Sequence, residues 1–337
     1  MCISGKPSTE GCRLIDQKDK PANATANRGV HRLALILCCM TVALLVAGAL
    51  VTSNEAGDSV PDWPLSFGRW LIRSNNFIAN VRYEYSHRFI AGVVGFITLV
   101  LAVWTYFGEQ RNWMRRLGLI AFGGVVAQAI IGGMRVWFPE YKALIAVPHA
   151  LVAQSFFAVA VSMVVFTSRS WWSPREIKTD EKGLPLRTLT GMTVLAVLIQ
   201  LVLGAGFRHQ AFGIAPHIAG AVIVAVLIAT TVITVVRRHR DDGYLARPAK
   251  FAIALLIIQL GLGIAAYLAR LASAGDPQPL EPMISLTVAH LVVGALTLAM
   301  MVTLMLRSHQ VLAPARQTAS DAIESRKVQS APSGSTV

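Results

Sequence analysis

Apolar positions along the chain come in long blocks rather than in alternation. Eight stretches contain no Asp, Glu, Lys or Arg: 33–54, 89–108, 117–134, 143–168, 188–207, 209–236, 251–269 and 282–306. Each is at least 18 residues long, and about 20 apolar residues in a helix cross the hydrocarbon layer of a bilayer. Backbone polar groups cannot be left unpaired in lipid, so each block predicts a helix that satisfies its own N–H and C=O groups. The pattern therefore predicts an all-α membrane protein with eight transmembrane helices.

Composition agrees. Of 337 residues 54% are hydrophobic and 15% charged, against about 25% charged in soluble domains. The net charge of +13 does not point to nucleic acid, because topology distributes it. Six Lys/Arg fall in 1–32, three in 108–116, five in 169–187, five in 237–250 and four from Arg307 onward. Leaving aside Arg88, which adjoins the second block, the alternate loops hold seven: Arg69, Arg73, Arg82, Arg135, Lys142, Arg208 and Arg270. Basic residues accumulate on the cytoplasmic side of membrane helices, so both termini are expected there. Glu10, Asp16 and Asp19 argue against a transit peptide, and the first apolar run is too long for a cleaved signal. A bacterial plasma membrane is the expected location, ahead of the mitochondrial inner membrane. Cys2 and Cys12 lie in the inner tail and Cys38 and Cys39 in the first helix, so no structural disulfide is expected.

A weak repeat emerges when the blocks are aligned. The third, fifth and seventh share Gln-x-x-x-Gly, as Gln128/Gly132, Gln200/Gly204 and Gln259/Gly263; the first keeps Gly48 without the Gln. The even-numbered helices each carry one histidine near their start: His87, His149, His217 and His290. The chain reads as two four-helix bundles in a parallel repeat, 31–168 and 188–306, joined by a cytoplasmic linker, 169–187. The tails 1–30 and 307–337 are expected to be disordered. Parallel repeats are related by an axis along the membrane normal. The small residues and Gln can equally serve helix packing alone.

Ionisable groups inside a membrane are costly and usually functional. Four histidines at one depth, two per repeat, fit paired axial ligation of two haems, since neutral imidazole is a common iron ligand and a helical bundle can place one on each side of a porphyrin. Each can instead hydrogen-bond a neighbouring helix. His31, His239 and His309, beside arginines at inner helix ends, and His209, in a short outer loop, are expected to be solvated or interfacial. Arg135, Arg208 and Arg270 end odd-numbered helices on the outer side, and Arg82 and Arg88 flank the start of the second. They suit haem propionates, which need cationic partners, or simply reach the headgroups. Glu84 precedes His87 by three residues in YEYSHR, on one helical face. It can move protons or stabilise charge beside a haem, or it can be a helix N-terminal acid or an ion pair with Arg88.

The segment GALVTSNEAGDSVPDWPLSFG, then EYSHR, PHALVAQ, PHIAGA and AHLVVGAL, resembles the haem A synthase family over about 31–306. The resemblance implies oxidation of a ring methyl of haem O to a formyl group, by successive hydroxylations and loss of water, to give haem A for cytochrome oxidase. It implies a haem b cofactor in the C-terminal half on His217 and His290, with Arg208 and Arg270 toward its propionates. It implies substrate haem between His87 and His149, with Arg88 and Arg135 nearby and Glu84 as the catalytic carboxylate. The implied partners are haem O, membrane lipid, and a haem O synthase or cytochrome oxidase assembly factors; a homo-oligomer is compatible. Many members carry a cysteine pair in the first outer loop, where this chain has Val60 and Ser66.

Two other functions need the same histidines: a non-catalytic di-haem electron-transfer protein, and a haem-handling protein. The first gives no reason for Glu84 or the DWP loop; the absence of the first-loop cysteines favours the second. A prenyltransferase is disfavoured because the membrane segments contain no Asp, and a secondary transporter because broken helices and inverted symmetry are not visible.

Overall fold

The computed structural model describes residues 27–72, 74–180, 183–276 and 279–313. Most of the two tails expected to be disordered, with Cys2 and Cys12, lies outside the described residues. Among the described residues, eight helices are long and apolar enough to cross a membrane. These are α1 (Arg28–Ser53), α2 (Val81–Gly108), α3 (Asn112–Trp137), α4 (Lys142–Thr167), α6 (Leu186–Arg208), α7 (Ala215–Arg238), α8 (Gly243–Ala272) and α9 (Glu281–Val311); α5 (Arg169–Trp172) is a single turn. The chain is an all-α multi-pass membrane protein. Several helices run past their uncharged blocks. At Arg28 the Asn27 side chain caps α1, accepting from the amides of Gly29 (3.0 Å) and Val30 (3.2 Å). Asp242 caps α8 through Tyr244 N at 3.0 Å, and Pro216 and Pro282 occupy first turns, where no intrahelical N–H is needed.

In sequence order α1 to α4 pack in a closed ring, α4 returning to α1, and α6 to α9 pack in another, α9 returning to α6. The rings meet where α4 contacts α6 and α9 and where α1 contacts α9. One core surrounds Leu37, Leu101, Met114 and Met163; the other surrounds Leu186, Ile228, Leu245 and Met301 and takes in Phe157 and Val161 from α4. Lipid tails are as apolar as Leu, so close packing rather than escape from water holds such helices together. Buried hydroxyls are satisfied at home: Thr41 donates to Leu37 O (2.7 Å) and Thr98 to Val94 O (2.7 Å). Others reach across helices, as Thr193 does to Thr231 (3.1 Å) and Thr190 to Ser308 (3.2 Å).

The segment between the rings is more structured than a charged loop. Lys178–Thr179 (β1) pairs in parallel with Leu312–Ala313 (β2), just beyond α9. Asp180 accepts from Leu186 N (2.6 Å) at the start of α6 and from Arg238 Nη1 (3.0 Å) at the end of α7. Arg175 and Arg307 stack on the Tyr244 ring at 3.6 and 4.4 Å. His239, expected to be solvated, is buried beside this network, because the linker folds back over the helix end that carries it.

Candidate functional site

A cavity of about 1490 Å³ runs between the rings and is lined by all eight long helices. His87, His149, His217 and His290 all line it, together with Gln128, Gln200, Gln259, Glu84, Arg88, Arg135, Arg208 and Arg270. Single-ligand pockets usually span about 300–1,000 Å³, so this one has room for more than one drug-sized group.

Each histidine faces a glycine of the preceding helix, and that glycine is the one in the repeat. A Cβ on Gly48 would lie 3.0 Å from His87 Cε1, on Gly132 3.5 Å from His149 Cε1, and on Gly204 and Gly263 2.9 Å from His217 and His290 Cε1. The missing side chains are the seats of the imidazoles. Two of the three glutamines hold the histidine's backbone, Gln128 Nε2 donating to His149 O at 2.8 Å and Gln200 Nε2 to His217 O at 2.9 Å, whereas Gln259 Nε2 lies 3.4 Å from His290 Nε2.

The His217 and His290 rings stand 6.2 Å apart, centroid to centroid. Imidazole nitrogen binds a metal at about 2.0–2.1 Å, so two rings on opposite sides of one ion have centroids about 6 Å apart. Among the described residues no three His, Cys, Asp or Glu side chains converge as a metal cluster, so the donor set suits two axial ligands to a macrocycle better than a chelated ion. Nδ1 of His87 and of His149 is buried without a hydrogen-bond partner, as are Gln200 Oε1 and Gln259 Oε1. Orphaned polar atoms at this density mark a site whose polar groups await a ligand. The spacing of His217 and His290 fits two ligands on opposite faces of one haem, and His87 and His149 line the same cavity.

One wall is the segment between α1 and α2. Glu84, buried on the first turn of α2, accepts at Oε2 from Ser59 Oγ and Val60 N, both at 2.9 Å, and at Oε1 from Arg88 Nη2 at 2.6 Å. Arg88 also donates to the carbonyls of Asp62 (2.5 Å), Leu65 (3.0 Å) and Val60 (3.1 Å). The ion pair considered from the sequence is thus real, and it organises a loop of DWP residues. Trp63 covers Gly133, where a Cβ would come within 2.7 Å of its ring, and meets Trp137 edge-on at 5.0 Å. Lys142 pairs with Asp58. Val60 and Ser66, the positions without thiols, are buried at 1% and 4% exposure, so hydrogen bonds hold this loop.

Asp62 closes the loop by accepting from the amides of Phe67 and Gly68, both at 2.7 Å. Burial pushes its carboxyl up, but the Gly68 and Phe67 amides, with Arg88 nearby, outweigh that and hold it below the ordinary carboxylate range. A carboxyl lowered in the fold contributes stability above its unfolded value, about 3.9, which is lost as pH falls through the lower folded value. The loop is therefore expected to keep its protease resistance down to about pH 4 and to lose it in stronger acid. Asp62→Asn should weaken resistance at neutral pH and flatten that acid dependence; an unchanged profile would refute the assignment.

Arg208 reaches from α6 to α1, where Nη2 donates to Ala49 O (2.9 Å) and Ser53 Oγ (2.6 Å). Arg270 lies over the Phe207 ring at 4.7 Å. Arg135, with its Nε buried and unpartnered, lies against Gly57. The sequence reading missed His209. Expected to be solvated, it lines the cavity, and its pKa is pushed down to about 4 by burial and then by Arg135 and Arg208. It is neutral at physiological pH and sits among cations from both rings. Its position next to Arg208 was the available signal.

Residues 31–216 match the family model described as cytochrome oxidase assembly protein, COX15-CtaA. The chain is 33% identical over 126 residues to a haem A synthase of Alkalihalophilus pseudofirmus, covering 36% of this chain and 41% of that protein. It is 29% identical to one from an Exiguobacterium species, covering 49% and 53%, and 22% identical to one from Shouchella clausii, covering 72% and 88%. The chain thus spans about half the length of the relatives it matches at the higher identities. With more than half of its residues matching, and the seated histidines and the DWP loop inside one cavity, the chain belongs to the COX15-CtaA family of cytochrome oxidase assembly proteins.

Proposed function

We propose that the protein converts haem O to haem A in a bacterial plasma membrane, oxidising a ring methyl to a formyl group by successive hydroxylations and loss of water, a net four-electron oxidation that draws on an external oxidant. The observation that carries this reading is the single cavity joining two pairs of glycine-seated histidines to a carboxylate, Glu84, in its wall. Proteins named haem A synthase, similar to this chain over part or most of their length, support it.

In this reading His217 and His290 hold a resident haem b. A haem b held by these two residues would supply one-electron transfer. His87 and His149 receive the substrate haem between α2 and α4. Arg135, Arg208 and Arg270 bring positive charge to carboxylates entering the cavity, where low polarity strengthens each attraction. Glu84 presents its carboxylate from a position fixed by Arg88, Ser59 and Val60, close in sequence to His87, and serves proton movement during oxidation of the methyl group. The Trp63 loop excludes water from that end.

The test is co-expression with a haem O synthase in a host lacking haem A, followed by haem extraction and reverse-phase chromatography. Haem A or its hydroxylated precursor is expected. Haem b and haem O alone, from well-expressed haem-loaded protein, would overturn the reading in favour of electron transfer or haem handling. Glu84→Gln, which keeps the volume, is expected to retain haem while haem A formation falls at least about 100-fold.

A further inference from the structure

Far from the cavity, three arginines gather where the linker crosses the start of α8 and the end of α9. Arg175 of the linker and Arg307 of α9 both lie over the Tyr244 ring, at 3.6 and 4.4 Å. Arg175 and Arg247 are the cationic neighbours of Arg307, and Arg247 is exposed near the start of α8. The ring beneath them is fixed. Tyr244 is buried and donates from its hydroxyl to Gln310 Oε1 (2.6 Å), and Gln310 Nε2 donates in turn to Trp171 O (2.7 Å). Arg307 is tied to the same residue, Nη1 donating to Tyr244 O at 3.0 Å. The charge is not balanced on the spot. Asp242 accepts from Tyr244 N at 3.0 Å and pairs with Lys178 at 3.5 Å, and Glu176, next to Arg175, is exposed. Among the described residues none of the three arginines has an ion pair, and Nε of Arg175 and of Arg307 is buried without a hydrogen-bond partner.

Like charges gathered this closely repel one another unless an anion joins them. A guanidinium stacked on a ring has its plane fixed and keeps outer N–H groups for an acceptor, and its fork matches the oxygens of a phosphate. Helix ends at the basic surface of a membrane protein lie among the headgroups, where basic pockets between helices receive anionic lipids. We propose that Arg175, Arg247 and Arg307 form a phosphate-binding site over Tyr244, filled by the headgroup of an anionic phospholipid or by free phosphate. A bound phosphate ties the linker to α8 and α9 at the end of the bundle remote from the histidines. The site stands independently of the haem reading, because none of its residues lines the cavity.

The test uses the purified full-length protein in neutral detergent, with phosphatidylglycerol, phosphatidylcholine and inorganic phosphate as probes. Native mass spectrometry counts the lipid retained, and the thermal midpoint reports stabilisation by each probe. Phosphatidylglycerol is expected to be retained in preference to phosphatidylcholine. Arg247→Gln and Arg175→Gln should each weaken that binding about 5-fold, the effect of removing one arginine from a lipid-facing basic site. Arg247 is exposed and makes no hydrogen bond among the described residues, so its loss leaves the fold intact. Arg32→Gln, at an exposed position near the start of α1, is the control and should bind as the wild type does. Inorganic phosphate that raises the midpoint by itself and displaces the lipid would identify free phosphate as the occupant. Lipid retention that resists it would identify the headgroup. Equal retention of both lipids with no response to phosphate would overturn the inference. So would phosphatidylglycerol binding that Arg32→Gln weakens as much as Arg247→Gln, or that no variant weakens.

Discussion

Arg88→Ala is expected to release the loop over the cavity and to cost about 3–5 kcal/mol, the usual effect of removing one partner of a buried ion pair. Arg88 is the shared donor for the Glu84 carboxylate and for the carbonyls of Val60, Asp62 and Leu65. Without it these acceptors lose the group that gathers them, and each buried acceptor left unsatisfied costs about 1–3 kcal/mol. Ser59 and Val60 N would still hold Glu84 Oε2, so the damage should begin in the loop rather than in the helices. Amide hydrogen exchange over 54–72 should rise strongly while the interior of α2 stays protected. Arg88→Lys should rescue only in part, because an ammonium lacks the planar fork that spans several acceptors. Unchanged exchange over the loop in Arg88→Ala would show that Trp63 packing alone holds it.

The second large effect concerns the glycines behind the histidines. Gly204→Ala and Gly263→Ala place a methyl 2.9 Å from an imidazole carbon, closer than packed carbon atoms tolerate, so the ring must move. Under the haem reading, haem bound per protein is expected to fall at least about 10-fold in either variant, the scale on which displaced ligand supports act. Gly132→Ala meets His149 at an ordinary 3.5 Å and should be much milder, with Gly48→Ala between at 3.0 Å. Gly261→Ala, on α8 with nothing within 4 Å, is the control for helix propensity and folding. A graded loss of the haem absorption band in that order would support the seats. Equal haem in Gly204→Ala, Gly263→Ala and Gly261→Ala would refute them.

Glu84 shows how far sequence reasoning reached. Its spacing from His87 and Arg88 was legible, and both an acid near a ligand and an ion pair were open. Only the folded chain reveals that its second oxygen serves Ser59 and Val60, residues some 25 positions earlier whose backbone direction no periodicity encodes. His209 failed for a related reason: a short loop between helices suggests solvent, yet its neighbours Arg135 and Arg208 come from different rings.

By itself the sequence determined the class of protein, the number of spans and the four histidines. Lipid makes those local matters: a backbone without water must close its own hydrogen bonds, so an uncharged block of sufficient length becomes a helix whatever its neighbours do. It also displayed the Gln-x-x-x-Gly pattern but not its purpose. The tertiary structure decided that each such glycine seats an imidazole, that both histidine pairs share one cavity, that Arg88 ties a loop to α2, and that Gln200 lies at Nδ1 of His217. These depend on which faces of separate helices meet and how closely. In a bilayer that is set by side-chain volume and the pairing of polar groups across helices, and neither can be read along a single strand of residues.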